Sequence, residues 1–195
     1  MSPLQAMERS YSALKQMLKE GRFLPGTRLE ANRLAEELGV SMTPVRDVLH
    51  RLVGEQMVEA SSGDGFHVPR FTEAALRDLY EWNSALLVIA CRTAKAPQSA
   101  TDRAMEYLEI PAERTSMLFE RIAARAPNLE VRTAIASASD RLHPFRILEG
   151  NVLEPLLGEL DELEIGDARQ SHAIRRYHLR RMKMVPALVR ARNES

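Results

Sequence analysis

Apolar residues recur at helical spacing between residues 28 and 53, and one glycine interrupts the pattern. The first apolar stripe ends at Gly39, since glycine readily adopts the left-handed backbone that ends many helices. A second stripe follows Ser41 and Thr43, either of which can cap a helix, and Pro44 suits a first helical turn. The stripes consist of Leu29, Leu34, Ala35 and Leu38, and then of Val45, Val48, Leu49 and Leu52. The pattern predicts a helix-turn-helix, an arrangement whose second helix enters the major groove of DNA.

The segments on either side of these two helices complete a small domain. Residues 4–20 show an amphipathic helical pattern that ends at Gly21. Residues 57–60 and 66–68 have the composition of short strands, and the glycines within 61–65 favour a hairpin turn between them. A hairpin that follows a helix-turn-helix forms a wing, which can lie on the phosphate backbone or in the minor groove.

The chain changes character at about residue 70, and no convincing strand follows. Helical periodicity predicts about six helices, separated by prolines or by a Gly-Asn pair. They lie near 72–95, 98–109, 112–126, 128–149, 151–163 and 167–192. The predicted fold is therefore mainly α. A winged helix-turn-helix domain with a small two-stranded wing occupies residues 1–70, and an all-α bundle of about six helices occupies residues 71–195.

Charge is unevenly distributed, although the formal net charge of the chain is zero. A neutral total argues against a general polyelectrolyte binder but allows a local basic patch. Residues 149–167 carry seven acidic residues and no base, whereas residues 169–192 carry eight basic residues and no acid. We expect these two segments to pair within the bundle or across a dimer, with a second nucleic-acid surface as the alternative.

The sequence lacks the features of several other protein classes. No apolar run reaches the length of a membrane span, and the N-terminus has no apolar core of a signal peptide. No phosphate-binding glycine loop, nucleophile elbow or zinc-protease motif is present. We therefore expect a soluble cytoplasmic protein that is not an enzyme and has no membrane partner.

Three short runs carry a specific family resemblance. They are PGTRL at 25–29, LAEELGVS at 34–41 and TPVR at 43–46. At this spacing they closely resemble the winged helix-turn-helix of the GntR family of bacterial transcription regulators, and the resemblance extends over about residues 14–68. It implies a sequence-specific regulator that binds double-stranded DNA as a homodimer on a pseudo-palindromic operator.

The start of the second helix supplies the main candidates for DNA contact. Hydroxyl and backbone N–H groups at a helix N-terminus suit phosphate oxygens, and Arg46 can reach a phosphate or a guanine edge. The candidates are Ser41, Met42, Thr43, Pro44 and Arg46, with Asn32, Arg33, Arg51, Gly65 and His67 as secondary positions. The resembled family usually has arginine in place of Met42 and a basic residue near Asp64. The loss of these two cations is expected to weaken phosphate binding.

The helical part resembles the FCD-type effector-binding domain of the FadR-like subfamily of GntR regulators. The resemblance lies in residues 79–86, where this chain has Asn83 in place of the usual arginine; Leu87 replaces a usual glutamate. The resemblance implies a site for a small-molecule effector, such as an organic acid. Asn83 and Arg146 are the candidate residues for binding it.

The same resemblance implies a divalent metal, zinc or nickel, held by an aspartate and three histidines. Asp140 and His143 are three residues apart and share a helix face, and His172 matches the next histidine. The last histidine of the set is absent near the C-terminus, and His178 lies roughly 120° from His172 around a helix. Asp140, His143 and His172 are therefore the predicted metal ligands, and a polar network between helices is the alternative reading.

Together these features predict a metabolite-responsive repressor. Two alternatives stay open from the sequence. One is a DNA-binding regulator whose bundle only dimerises, which the replaced positions and the missing histidine favour. The other is a metal-dependent helical enzyme whose winged domain contacts other proteins.

Overall fold

The chain divides into two compact units, Met1–Phe71 with Arg192–Ser195, and Thr72–Ala191. The computed structural model describes residues 3–61, 63–94, 110–153, 157–164 and 169–194. None of the described helices is long and apolar enough to cross a membrane.

The described residues of the first unit begin with three helices and three short strands. In chain order these are α1 (Pro3–Lys19), β1 (Arg28–Leu29), α2 (Ala31–Leu38), α3 (Met42–Gly54), β2 (Glu59–Ser61) and β3 (Gly65–His67). Helix α2 ends where Gly39 adopts a left-handed φ of 65°. Ser41 occupies the N-cap of α3 with an extended backbone, but its side chain makes no capping hydrogen bond. The predicted helix-turn-helix is confirmed, and the predicted cap is confirmed only in its position.

The two predicted wing strands are confirmed as β2 and β3, and the sheet also contains a third strand, β1, that was not predicted. The strand order is β1-β3-β2, and Leu29 pairs with Phe66 across the antiparallel β1–β3 ladder. Gly26 has a φ of 82°, and its N–H donates to the carbonyl of Val68 at 2.8 Å. This turn brings residues 28–29 alongside β3. A strand of two residues has no periodicity to detect, which is why the sequence pattern did not reveal it.

The core of the first unit lies between its three helices and the sheet. Its buried members include Leu14, Leu34, Val45, Leu49, Leu52, Val58 and Val68. Met57 and Val58, which were predicted to begin the first wing strand, are instead buried in the bend before β2. The three helices therefore share one apolar centre, and the buried face of α3 fixes which of its faces is exposed.

The regular elements among the described residues from Glu73 onward are all helical. They are α4 (Glu73–Thr93), α5 (Pro111–Ala124), α6 (Leu129–Arg146), a single 3₁₀ turn (Glu149–Asn151), α7 (Leu157–Glu164) and α8 (Gln170–Glu194). Side-chain oxygens of Thr72 and Asn128 accept backbone N–H bonds at the starts of α4 and α6, as expected of N-caps. Five of the six predicted helices are confirmed, and the helix predicted near 98–109 lies outside the described residues.

The acidic and basic segments pair within the bundle, as predicted. Arg181 of α8 lies 2.9 Å from a carboxylate oxygen of Glu149 and 2.6 Å from one of Glu159. Arg176 forms an ion pair with Glu162 in the same way. The charge pattern therefore reflects the pairing of α8 with the acidic segment in this unit.

Candidate nucleic-acid interface and buried polar cluster

The N-terminal part of α3 is exposed on one face and fully buried on the other. Ser41, Thr43 and Arg46 are exposed, and Met42 is 42% exposed. Pro44 is half-buried, in keeping with its place in the first turn. The opposite face consists of Val45, Val48, Leu49 and Leu52, none more than 1% exposed. The core therefore presents the helix start outward, as a DNA-reading helix requires.

Arg46 is the cation best placed on this face. In the described part of the chain, Arg46 has no hydrogen bond or ion pair that would hold its side chain. The first N–H groups of α3 are also unpaired within the helix, because a helix leaves them without intrahelical partners. Free donors and a free guanidinium at one helix end are suited to phosphate oxygens and base edges.

The secondary positions lie on α2 and on the wing. Asn32 and Arg33 are exposed at the start of α2, where Arg33 Nε is 2.8 Å from a carboxylate oxygen of Glu30. In the wing, Gly65 is exposed with a φ of 89°. His67 is half-buried, and its Nε2 lies 3.4 Å from Asp64 Oδ2. Asp64 therefore lies beside His67 at the tip of the wing.

Arg28 belongs with this surface, although the sequence analysis did not select it. It is exposed on β1, opposite His67 in the ladder. Its Nε would lie 3.7 Å from a Cβ placed on Gly65, so its side chain runs beside the wing turn. The signal was present in the PGTRL run, whose arginine precedes α2. Including Arg28 and Leu29 in the first predicted helix, rather than in a strand, hid the proximity of Arg28 to the wing.

Arg51, a secondary candidate for DNA contact, is directed toward α1. Its guanidinium lies over the ring of Tyr11, 3.5 Å from the ring centroid. It also forms ion pairs with Glu8 at 3.2 Å and with Glu55 at 3.5 Å. Arg51 therefore joins α1 to the C-terminal half of α3 and is not grouped with the exposed helix start.

The predicted metal ligands are not brought together. Among the described residues, which include all three, no group of three or more His, Cys, Asp and Glu side chains could hold a metal ion. His172 is exposed on α8, whereas His143 is buried with its Nδ1 2.9 Å from Ser116 Oγ. Asp140, His143 and His172 do not form such a group in this structure, and the metal set remains a prediction. The alternative, a polar network between helices, describes His143 better.

Arg146 and Asn83, the predicted effector residues, are both buried polar side chains, at 2% and 0% exposure. Arg146 Nη1 donates to Ser139 Oγ at 2.7 Å, and its guanidinium carbon lies 4.9 Å from the centroid of the Phe119 ring. Nε and Nη2 of Arg146 and the amide nitrogen of Asn83 are buried without a hydrogen-bond partner. These donors are unusual, because buried polar groups are nearly always paired.

His178 packs among these buried side chains. The sequence contained no sign of this, because the helical angle between His178 and His172 indicated only that the two could not share a metal. His178 is fully buried and its ring stacks on Phe119 at 5.6 Å between centroids. Its Nε2 is 3.0 Å from Asn83 Oδ1, and its Nδ1 is 2.7 Å from the carbonyl oxygen of Ile174. A neutral imidazole has one N–H for these two oxygens, so turning the Asn83 amide over would satisfy both contacts. One amide atom of Asn83 stays unpartnered in either orientation.

Acidification is expected to destabilise the second unit through His178. Burial lowers the pKa of His178 to about 3, and the neighbouring Arg146 and Arg181 act in the same direction. The unfolded chain takes up this proton near pH 6.5 while the folded chain does not, so stability is complete above pH 6.5 and falls as pH decreases. Between pH 7 and pH 5 we expect a loss of about 2 kcal/mol, measured by urea unfolding.

Two variants on the same helix isolate that contribution. His178→Gln is expected to remove most of the difference between pH 7 and pH 5, whatever its effect at pH 7. His172→Gln serves as the control, because His172 is exposed and should leave the difference unchanged. An unchanged pH dependence in His178→Gln would assign the effect to another group.

Comparisons with known proteins agree with the winged helix. The sequence model of bacterial regulatory proteins of the gntR family matches residues 6–68. The chain is similar to the Nta operon transcriptional regulator of Aminobacter aminovorans, with 32% identity over 142 residues that cover 65% of this chain and 67% of that protein. It is also similar to the HTH-type transcriptional regulator McbR of Escherichia coli K12, with 43% identity over 70 residues. That match covers 36% of this chain and only 30% of McbR.

A solved structure shares the fold over nearly the whole chain. It is a putative transcriptional regulator GntR from Rhodococcus sp. RHA1, with a TM-score of 0.71 and 17% sequence identity, covering 93% of this chain and 97% of that one. The relatives are named as transcriptional regulators, so the alternative of a metal-dependent enzyme is not supported. On the strength of the family match and of the longer relative, this chain belongs to the GntR family of bacterial regulatory proteins.

Proposed function

We propose that this chain is a sequence-specific DNA-binding transcription regulator. The observation that carries the proposal is the outward-facing start of α3, where Ser41, Thr43 and Arg46 are exposed above a fully buried apolar face. A helix held in this way can insert its N-terminal end into the major groove. Met42 adds an apolar group that suits a thymine methyl.

The wing and the start of α2 supply the backbone contacts in this proposal. Arg28 and Arg33 are exposed on β1 and α2, and they add two cations to Arg46. If these three arginines each contact a phosphate, the logarithm of the binding constant should fall with the logarithm of salt concentration. The expected slope is about −2.7 for each winged helix. Asp64 at the wing tip works against stronger binding.

The finer features of the proposal concern assembly and regulation. We infer a homodimer on a pseudo-palindromic operator, because twofold symmetry of the protein matches two half-sites of DNA. We also infer that the helical unit is an FCD-type sensor of a small acid, that the protein is a repressor, and that it acts in the bacterial cytoplasm. The buried donors of Arg146 and Asn83 support the sensor over a bundle that only dimerises.

Arg46→Ala is expected to weaken operator binding about tenfold to a hundredfold. A guanidinium that binds a guanine edge contributes about 1–3 kcal/mol of discrimination. Duplexes would first be selected from a randomised pool with the wild-type protein, and affinities then measured by fluorescence anisotropy at several salt concentrations. A smaller salt slope in the variant would indicate a phosphate contact, and relaxed sequence preference a base contact.

Arg175→Ala is the matched control, because it removes one exposed arginine from α8 and changes net charge equally. It should bind the selected duplex nearly as the wild type does. The proposal fails if the wild-type protein enriches no sequence at low salt, or if both variants lose affinity equally.

A further inference from the structure

One side of α4 is apolar and exposed, whereas the opposite side is buried in the core of the second unit. Trp82 and Ile89 are 52% and 44% exposed, and Ala85 is exposed between them. Residues three, four or seven positions apart lie on the same side of a helix, so these side chains form one continuous stripe. We call it the α4 stripe. An exposed apolar patch bordered by polar residues is typical of a contact with another protein.

Charged residues border the α4 stripe, and their signs differ between its two ends. Asp78 and Glu81 are exposed toward the start of the helix, and Arg92 is exposed toward its end. In the described part of the chain none of these three side chains forms an ion pair. By the helical repeat, Glu81 and Arg92 lie along the same edge of the stripe, about 20° apart, whereas Arg77 lies about 140° from Trp82. The stripe therefore has an acidic end and a basic end.

This pattern is complementary to itself when two copies of α4 pack antiparallel about a twofold axis beside Ala85. Trp82 is three residues before Ala85 and Ile89 is four residues after it, so Trp82 of each copy lies opposite Ile89 of the other. A small side chain at the crossing point allows the two helices to approach closely. The acidic end of each helix then lies beside Arg92 of the other copy. A parallel pair would instead place like charges together.

We propose that the α4 stripe is the homodimer contact of this chain, formed by two antiparallel copies of α4. This deepens the homodimer proposed above by naming the surface, its orientation and its register. The occupant is a second copy, because both halves of the complementary charge pattern are present on one helix. A contact of this kind relates two winged helices by a twofold axis, which is what a pseudo-palindromic operator requires.

The single tryptophan reports on this contact directly, because Trp82 would pass from water into the interface on dimerisation. Sedimentation equilibrium of the full chain without DNA gives the dissociation constant of the dimer, and tryptophan emission is recorded over the same concentrations. We expect emission to shift to the red on dilution, with its midpoint at that dissociation constant. The proposal is overturned if the chain is monomeric throughout, or if the dimer has the same emission as the monomer.

Ile89→Asp is expected to weaken the dimer about thirtyfold or more, because it places a charge in the centre of the contact in both copies. It also supplies a monomer whose Trp82 emission serves as the reference if the wild type does not dissociate on dilution. Leu179→Asp is the matched control, since Leu179 is 55% exposed on α8, outside the stripe, and should leave the dimer intact. Circular dichroism should show the same helix content in both variants. An Ile89→Asp dimer as tight as the wild type would exclude this face.

Charge reversal tests the antiparallel orientation. One variant carries Arg92→Glu, and the other carries Asp78→Lys together with Glu81→Lys. Each variant alone places like charges at both ends of the pair and should weaken its own dimer about tenfold. An equal mixture places opposite charges at both ends, so it should form a heterodimer about as tight as the wild-type dimer.

No recovery of affinity on mixing these two variants would overturn the antiparallel arrangement. A dimer that is unaffected by either variant alone would overturn it as well. All of these measurements are made without DNA, so failure of the dimer contact is distinguished from failure of operator binding.

Discussion

Replacing Arg181 with alanine is expected to lower the free energy of unfolding of the second unit by about 3–5 kcal/mol. The guanidinium is almost fully buried, and it binds Glu149, which is 3% exposed. Although burial opposes the charge of Arg181, the neighbouring Tyr177 and Glu149 raise its pKa above the ordinary value. Removing the arginine leaves the Glu149 carboxylate buried without its cation; of its side-chain contacts in the described part of the chain, a 3.3 Å hydrogen bond from the Tyr80 hydroxyl remains. Equilibrium urea unfolding measures the loss.

The adjacent arginine provides the control for this prediction. Arg180 lies next to Arg181 and approaches the same Glu159 at 3.4 Å, but its side chain is 33% exposed. Arg180→Ala should therefore cost no more than about 1 kcal/mol. The double variant Glu149→Met with Arg181→Met should recover most of the stability, because it removes both charges and keeps the volume. Equal losses in Arg180→Ala and Arg181→Ala would show that the buried ion pair contributes no more to the free energy of unfolding than the exposed arginine does.

The helix-turn-helix was predictable because local rules decide it. Gly39 ends α2 through its own backbone freedom, and the apolar spacing of α3 selects the face that is buried. The third strand was not predictable in this way, since Arg28 and Leu29 become a strand only by pairing with β3. Its cause is a contact between distant residues rather than a preference of the two residues themselves.

The same distinction explains contacts that helical spacing did not reveal. Arg51 is a cation on α3, and its partner Glu8 lies on another helix, 43 residues away in the sequence. His178 appeared isolated from His172 by helical angle, and it packs instead against Asn83, 95 residues away. Spacing along one helix describes which residues share a face, and it does not describe what that face meets.

Asn83 and Arg146 remain predicted effector residues. The family resemblance marked their region as a ligand site, although Asn83 stands where that family usually has an arginine. The structure adds burial and missing partners, which give these residues a physical meaning. On α3 the opposite property indicates function: Arg46 is a candidate for DNA contact because its side chain is exposed and is not held by another residue of the described chain.

Replacing Leu49 with alanine is expected to destabilise the first unit by about 2–5 kcal/mol and thereby to abolish operator binding at elevated temperature. Leu49 is fully buried on α3 among Leu14, Val45 and Leu52. Removing its side chain leaves a cavity at the point where α3 packs on the rest of the unit. Far-UV circular dichroism during heating measures the loss, which should shift the first unit's transition downward.

A comparison with Arg46→Ala separates folding from contact. Both residues lie on α3, but Arg46 is exposed, so its alanine variant should lose DNA affinity with the melting transition unchanged. Trp82, the single tryptophan of the chain, lies on α4 in the second unit, so its fluorescence follows that unit. Leu49→Ala should move the dichroism signal of the first unit more than the tryptophan signal. Loss of DNA affinity in Leu49→Ala at low temperature without any change in dichroism would mean that Leu49 acts at the DNA interface, which would contradict its burial on the inner face of α3.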